Sequence, residues 1–303
     1  MRGWLSLLAL FVAVAGLGAW VYYRPTAEDD QKPLALSALN ASEVRNIRVE
    51  RSAARAASVG DTTAQGAQAK SAEPPPVIVL QRAEGGWRMT APFAARAEAF
   101  QVERLLSILD TRSSSRFPTT DLGRYGLAEP AVKVTLDGES FAYGAVNTMT
   151  REQYVLTRDA VYAIPLTQRN AVPRDADALV SRSLFAPGET PIGFDLPGFA
   201  ATLQDGTWSF TPQDGSGADE RNAWVDAWRQ ATAVRAKRHD GRTPDASVNV
   251  KLGDGRTVAI GILEREPELV LLRADEGIQY HFFADTAKRL LAQPAAKADA
   301  PVK

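Results

Sequence analysis

Residues 131–136 read AVKVTL, and residues 247–252 read SVNVKL. Both alternate apolar with polar side chains, the period of a strand that turns one face to a core and the other to water. Asp137-Gly138 follows the first run and Asp254-Gly255 lies just past the second; such dipeptides suit the tight turns that join hairpins. Other features recur around these strands at offsets of 116 to 122 residues. Gly86-Trp87-Arg88-Met89 returns as Thr207-Trp208-Ser209-Phe210, and Tyr143-Gly144 returns as Ile260-Gly261. Val102, Leu105, Leu106 and Leu109 fall at i, i+3, i+4 and i+7, which predicts a helix with one apolar stripe. Trp224, Ala227, Trp228 and Ala231 repeat that stripe. A further hairpin is expected over 153–164 and again over 268–283, each closed by a short helical segment at 166–172 and 284–291. The expected fold is α+β: two similar β-rich lobes, 43–188 and 189–292, formed by internal duplication, each with antiparallel strands and a packed helix.

The first 24 residues differ from the rest. Residues 3–23, GWLSLLALFVAVAGLGAWVYY, carry no charge. A helix of about 20 residues covers the ~30 Å hydrocarbon core of a bilayer. Trp4 stands at one end and Trp20, Tyr22 and Tyr23 at the other, where amphipathic rings meet the two interfaces. An uncleaved, single-pass transmembrane anchor is expected over 1–24. A cleaved signal peptide with Gly16-Leu17-Gly18 as its processing site is the competing reading, although the apolar run continues to Tyr23. The very short head before a long body favours a body in the periplasm, held at the inner membrane. Residues 25–42 read as a spacer. A strand is expected at 43–51. The stretch 52–76 has eight alanines and no aromatic residue, too little apolar surface to offset its ordering entropy, and reads as a disordered insertion. Residues 293–303 read as a flexible tail.

The balance of 35 basic and 36 acidic residues disfavours nucleic acid as a partner, since phosphate neutralisation calls for a basic excess. The absence of cysteine excludes disulfides, a thiolate nucleophile, iron–sulfur clusters and cysteine-based zinc sites. No nucleophile elbow, phosphate-binding glycine loop, dinucleotide fingerprint or histidine pair at metal-binding spacing occurs. The segment 214–219 resembles the start of a calcium loop, but Ala218 stands at a ligand position and the closing glutamate is missing. His239 lies in a basic cluster with Arg235, Lys237, Arg238 and Arg242, expected at a solvated helix end. His281 is expected as a surface or half-buried strand residue facing away from Tyr280 and Phe282. Trp224 and Trp228 have two readings, core residues or a stacking platform for a sugar ring. No cofactor or metal is expected.

Several phrases occur in a fixed order: Gly86-Trp87-Arg88, then Tyr125-Gly126-Leu127-Ala128-Glu129-Pro130, Tyr143-Gly144, Tyr154-Val155-Leu156, Val161-Tyr162-Ala163-Ile164 and Ser181-Arg182-Ser183-Leu184-Phe185. In this order the chain resembles the bacterial domain of unknown function 4340 over about residues 43–190. The second copy follows more loosely, with His239-Asp240-Gly241-Arg242 in place of the Tyr-Gly-Leu phrase. The resemblance implies a membrane-associated protein, with relatives that sometimes accompany transporter-like or gliding-motility components, and it supplies no catalytic residues. The functional expectation is a non-catalytic binding or scaffolding module with a protein partner in the envelope. The alternatives are a glycan-binding module and a hydrolase acting on envelope material.

Overall fold

The computed structural model describes residues 33–52, 75–213 and 215–294. The expected anchor at 3–23 and most of the 52–76 insertion and 293–303 tail lie outside the described residues, and among those described no helix is long and apolar enough to cross a membrane.

The described chain is mostly antiparallel β-sheet. Its first half contains β1 (Leu34–Ala35), β2 (Asn46–Arg51), β3 (Ile78–Ala83), β4 (Gly86–Ala91), β5 (Ala95–Arg96), α1 (Ala99–Leu106), β6 (Arg112–Ser113), β7 (Arg116–Phe117), β8 (Val132–Leu136), β9 (Glu139–Asn147), β10 (Glu152–Thr157) and β11 (Ala160–Pro165). Two 3-10 turns follow, η1 (Leu166–Ala171) and η2 (Asp177–Leu179). The second half contains β12 (Pro191–Leu196), β13 (Phe199–Gln204), β14 (Thr207–Thr211), α2 (Ala218–Arg229), β15 (Arg235–Arg238), β16 (Ala246–Leu252), β17 (Thr257–Glu264), β18 (Glu268–Arg273), β19 (Ile278–Phe283) and α3 (Ala284–Leu291).

The first sheet runs β5-β4-β3-β2-β8-β9-β10-β11-β7, and the second runs β14-β13-β12-β16-β17-β18-β19-β15. Without the edge strand β5, the two orders correspond strand for strand. Trp87 on β4 and Trp208 on β14 hold corresponding inward positions. The register shifts at corresponding places in the two sheets, between β9 and β10 and between β17 and β18, and at non-corresponding places between β3 and β4 and between β12 and β16. Period-2 alternation aims Ile47, Val49, Leu80, Met89, Val134 and Leu136 inward from the first sheet, and Phe194, Ala201, Phe210, Val248 and Val250 from the second. These residues join in a single apolar core that reaches across both halves.

Three expectations need correction. Arg235–Arg238 is an edge strand and not a helix end: it pairs antiparallel with β19, Arg235 opposite His281 and Arg238 opposite Ile278. Leu109 and Ala231 are buried but lie past the ends of α1 and α2, and Val225 joins the buried face of α2 instead. His281 is buried, 6% exposed, because β15 and the segment after it close over β19.

Mid-strand glycines mark where a loop lies on each sheet. Tyr125-Gly126-Leu127 folds onto the outer face of β9, where the Tyr125 carbonyl accepts from the Ala145 amide at 2.7 Å. A Cβ at Gly144 would stand 2.3 Å from the Tyr125 oxygen and 2.7 Å from Leu127 Cγ; one at Gly261 would stand 2.6 Å from Pro244 Cγ. The recurrent glycine therefore serves close approach of the covering segment. Gly144→Val is expected to cost about 3 kcal/mol in urea unfolding, since backbone must move. Gly193→Ala, whose methyl would meet Lys251 at an ordinary 3.5 Å, is expected to stay within about 1 kcal/mol of the parent. Equal costs would remove the steric explanation.

Candidate functional site

Where the two halves meet, a cavity of about 500 Å³ is lined by Arg88 and Arg96 from the first sheet, the connecting segment 186–189, and Arg256, Arg273 and Glu276 from the second. Its floor is a buried ion network. Arg273 ends β18 at the same inward parity as Leu269 and Leu271 and is 1% exposed. All five of its donors are engaged. Nε and Nη2 donate to Asp275 at 2.9 and 2.8 Å, Nη1 and Nη2 donate to Glu189 at 3.0 and 3.2 Å, and Nη1 also donates to the Leu184 carbonyl at 2.8 Å. Arg96 reaches across from β5. It donates to Glu276 from Nε at 2.7 Å, to the Tyr280 hydroxyl at 2.9 Å, and to the Ser183 and Phe185 carbonyls at 2.7 and 3.3 Å. The Tyr280 hydroxyl in turn donates to Glu276 at 2.8 Å. The Ser-Leu-Phe part of the phrase at 181–185 thus supplies successive carbonyls to two arginines, and the Phe185 ring lies 5.9 Å from the Arg273 guanidinium carbon.

The electrostatics follow from these contacts. Burial alone would lower Arg273, but hydrogen bonds from its carboxylate partners hold it above the ordinary guanidinium value. Burial pushes the Glu189 carboxyl up, and Arg273 and the Ala186 amide outweigh that and leave it below the usual carboxylate range. The Arg273 hydrogen bonds hold Asp275 below that range as well, against burial. Burial raises the Tyr280 phenol, with Arg96 opposing and Glu276 adding to the rise. Arg273, Glu189 and Asp275 therefore stay charged, and Tyr280 stays neutral, near neutral pH. Its interactions tie β5 of the first sheet to β18 and β19 of the second. Arg88 stands exposed at the rim with no ion-pair partner among the described residues.

The residues singled out from sequence lie elsewhere. Trp4, Trp20, Tyr22 and Tyr23 are outside the described residues. Trp224 and Trp228 are 5% and 0% exposed, pack around Phe194, and donate through Nε1 to the Ala292 and Leu290 carbonyls at 2.8 and 3.0 Å. The ligand-contact reading of this pair is corrected: neither ring presents a face on which a sugar would stack. His281 contacts Glu268 through Nδ1 at 3.1 Å and Gln279 through Nε2 at 3.1 Å, with Arg235 Nη2 3.2 Å from Nδ1. Burial, then Arg235 and Lys237, lower its pKa against the opposing pull of Glu268. His239 Nδ1 is 3.8 Å from Asp240. Neither histidine lines the cavity. Among the described residues no group of three histidine or acidic side chains is placed to hold a metal ion.

The network itself was missed from sequence. The available signal was Arg273 at a core-parity position, with Asp275 and Glu276 immediately beyond it. Comparison with known proteins gives one family and no named relative: no curated protein and no solved structure matches the chain. The family match covers residues 87–238, from β4 through β15, so it spans parts of both sheets and ends well beyond the expected limit near residue 190. With half of its length matched in this way, the chain belongs to the family defined by the domain of unknown function DUF4340.

Proposed function

We propose that this protein is a membrane-anchored binding or scaffolding module that acts by contact, with its body outside the cytoplasm, as an accessory to a transporter-like or envelope assembly. The observation that carries the contact role is the saturation of the network between the sheets. Arg273 spends every donor on carboxylates and a backbone carbonyl, and Arg96 is likewise committed, so the buried charge stiffens the junction. A stiff junction presents a partner with a surface whose ordering entropy has already been met. The uncharged run 3–23 supports the anchor. The matching strand orders support an origin by internal duplication. Confinement to the membrane raises the effective concentration at a second contact, which a free body loses.

The test is complementation of a strain lacking this protein. The full chain is expected to remain in the pellet after alkaline carbonate washing, and a reporter fused after Lys303 to be active only outside the cytoplasm. The His239→Ala/His281→Ala variant should restore the strain, whereas a chain lacking residues 1–24 should not. A soluble body that complements, together with a well-folded histidine variant that fails, would replace the contact role with an enzymatic one.

A further inference from the structure

A second charged cluster sits on the first half, and none of its members lines the cavity described above. Arg51 ends β2 and donates through Nη2 to the Pro173 carbonyl. Its Nε is buried without a hydrogen-bond partner. Arg104, on α1, donates through Nη2 to the Asn170 carbonyl at 2.6 Å. Each of these carbonyls adjoins a further arginine in sequence, Arg169 beside Asn170 and Arg174 beside Pro173, and both of those side chains are exposed. Two guanidinium groups thus reach the backbone of η1 and the turn after it, and two further arginines project from that same segment.

None of the four forms an ion pair among the described residues, whereas Arg273 holds two carboxylates in its fork. Asp175 adjoins Arg174, and its Oδ1 accepts from the Ala178 amide at 2.9 Å. Burial lowers the Arg51 pKa most, attraction to Asp175 opposes it, and repulsion from Arg169 and Arg174 adds to the lowering. A half-buried guanidinium with an unmet N–H beside like charges is unfavourable on its own. It becomes favourable when an anion with several oxygens enters. All four residues are arginine, whose planar fork matches phosphate oxygens better than the point charge of lysine.

We propose that Arg51, Arg104, Arg169 and Arg174 form a binding site for a phosphate-type group. The site stands apart from the contact role, and only its lipid source rests on the membrane anchor proposed above. The phosphate would come either from a free phosphorylated solute or from an anionic lipid headgroup at the membrane to which the chain is tethered. An anionic headgroup attracts basic side chains held within a Debye length of the bilayer surface.

The experiment uses the full chain in neutral detergent and two probes, titrated calorimetrically. One is inorganic pyrophosphate. The other is mixed micelles carrying phosphatidylglycerol, compared with phosphatidylcholine. Saturable binding of at least one anionic probe is expected, weakened at least tenfold by Arg169→Gln/Arg174→Gln and unchanged by Arg124→Gln, an exposed arginine outside the cluster. Binding of pyrophosphate alone assigns a free solute, binding of the lipid alone assigns a headgroup, and binding of both assigns the shared phosphate chemistry. Without probe, the double variant should melt no lower than the parent, because it removes repulsion only. The proposal is overturned if neither probe binds, if the double variant binds like the parent, if Arg124→Gln weakens binding equally, or if the double variant melts several degrees lower.

Discussion

Arg273→Ala is expected to destabilise the fold by about 3–5 kcal/mol in urea unfolding, because it leaves the carboxylate of Glu189, which is 7% exposed, with only the solvent-exposed Arg256 as counter-charge. Two further contacts go with it, the Leu184 carbonyl and Asp275. The loss measures a broken pair and not what the pair adds, so Arg273→Met combined with Glu189→Leu should recover much of it. The acid limb of the stability profile supplies a separate check. Glu189 and Asp275 are held below the ordinary carboxylate range in the folded state. Their contribution is complete above the unfolded value of about 4 and is lost as pH falls through the depressed folded values. Arg273→Ala should therefore flatten the fall in stability below about pH 4. A parent-like acid limb in this variant would mean that the network does not govern acid unfolding.

Trp228→Ala is the second large effect, expected at about 3–5 kcal/mol. The ring is wholly buried, packs tilted against Phe194 at 5.4 Å and Trp224 at 6.1 Å, and its Nε1 satisfies the Leu290 carbonyl at the end of α3. Truncation opens a cavity and leaves that carbonyl unpaired, so α3 should lose protection from hydrogen exchange before the rest of the second half. Trp228→Phe keeps most of the volume and loses the donor; a cost of about 1–3 kcal/mol would isolate the hydrogen bond. A cost below about 1 kcal/mol for the alanine variant would mean that the core closes over the gap.

Legibility from sequence tracked the range over which each signal acts. The alternation in AVKVTL and SVNVKL, the turn dipeptides and the recurrent Trp87 and Trp208 are local, and they placed the hairpins and helices within a few residues. β7 and β15 were not legible as strands of the sheets, because each pairs with a strand 40 or more residues later and carries little or no apolar pattern of its own. The Arg235–Arg238 cluster misled for the same reason: four residues of mostly basic sequence fit a helix end as well as an edge. The ion network depends on partners such as Arg96 and Glu276, 180 residues apart. Only the inward parity of Arg273 hinted at it. Trp224 and Trp228 were ambiguous because helical spacing fixes a face without saying whether another layer covers it. Here β12 and β13 do, through Phe194 and Phe199.

The strand synthesised first in each large sheet ends up inside it. β2 lies between β3 and β8, and β12 lies between β13 and β16. After β2 leaves the ribosome, about 80 residues must follow before β8 exists to pair with it, an interval of roughly 4–16 s at ordinary elongation rates. The early β2-β3-β4 meander waits through that interval with one long edge of unpaired amides and carbonyls, the form of nascent chain most exposed to mispairing. The second half repeats the delay with a shorter gap, since β16 begins 50 residues after β12 ends. The pace of maturation is therefore set by the arrival of β8 and β16, while the short helices, which form in microseconds, wait for a surface on which to settle.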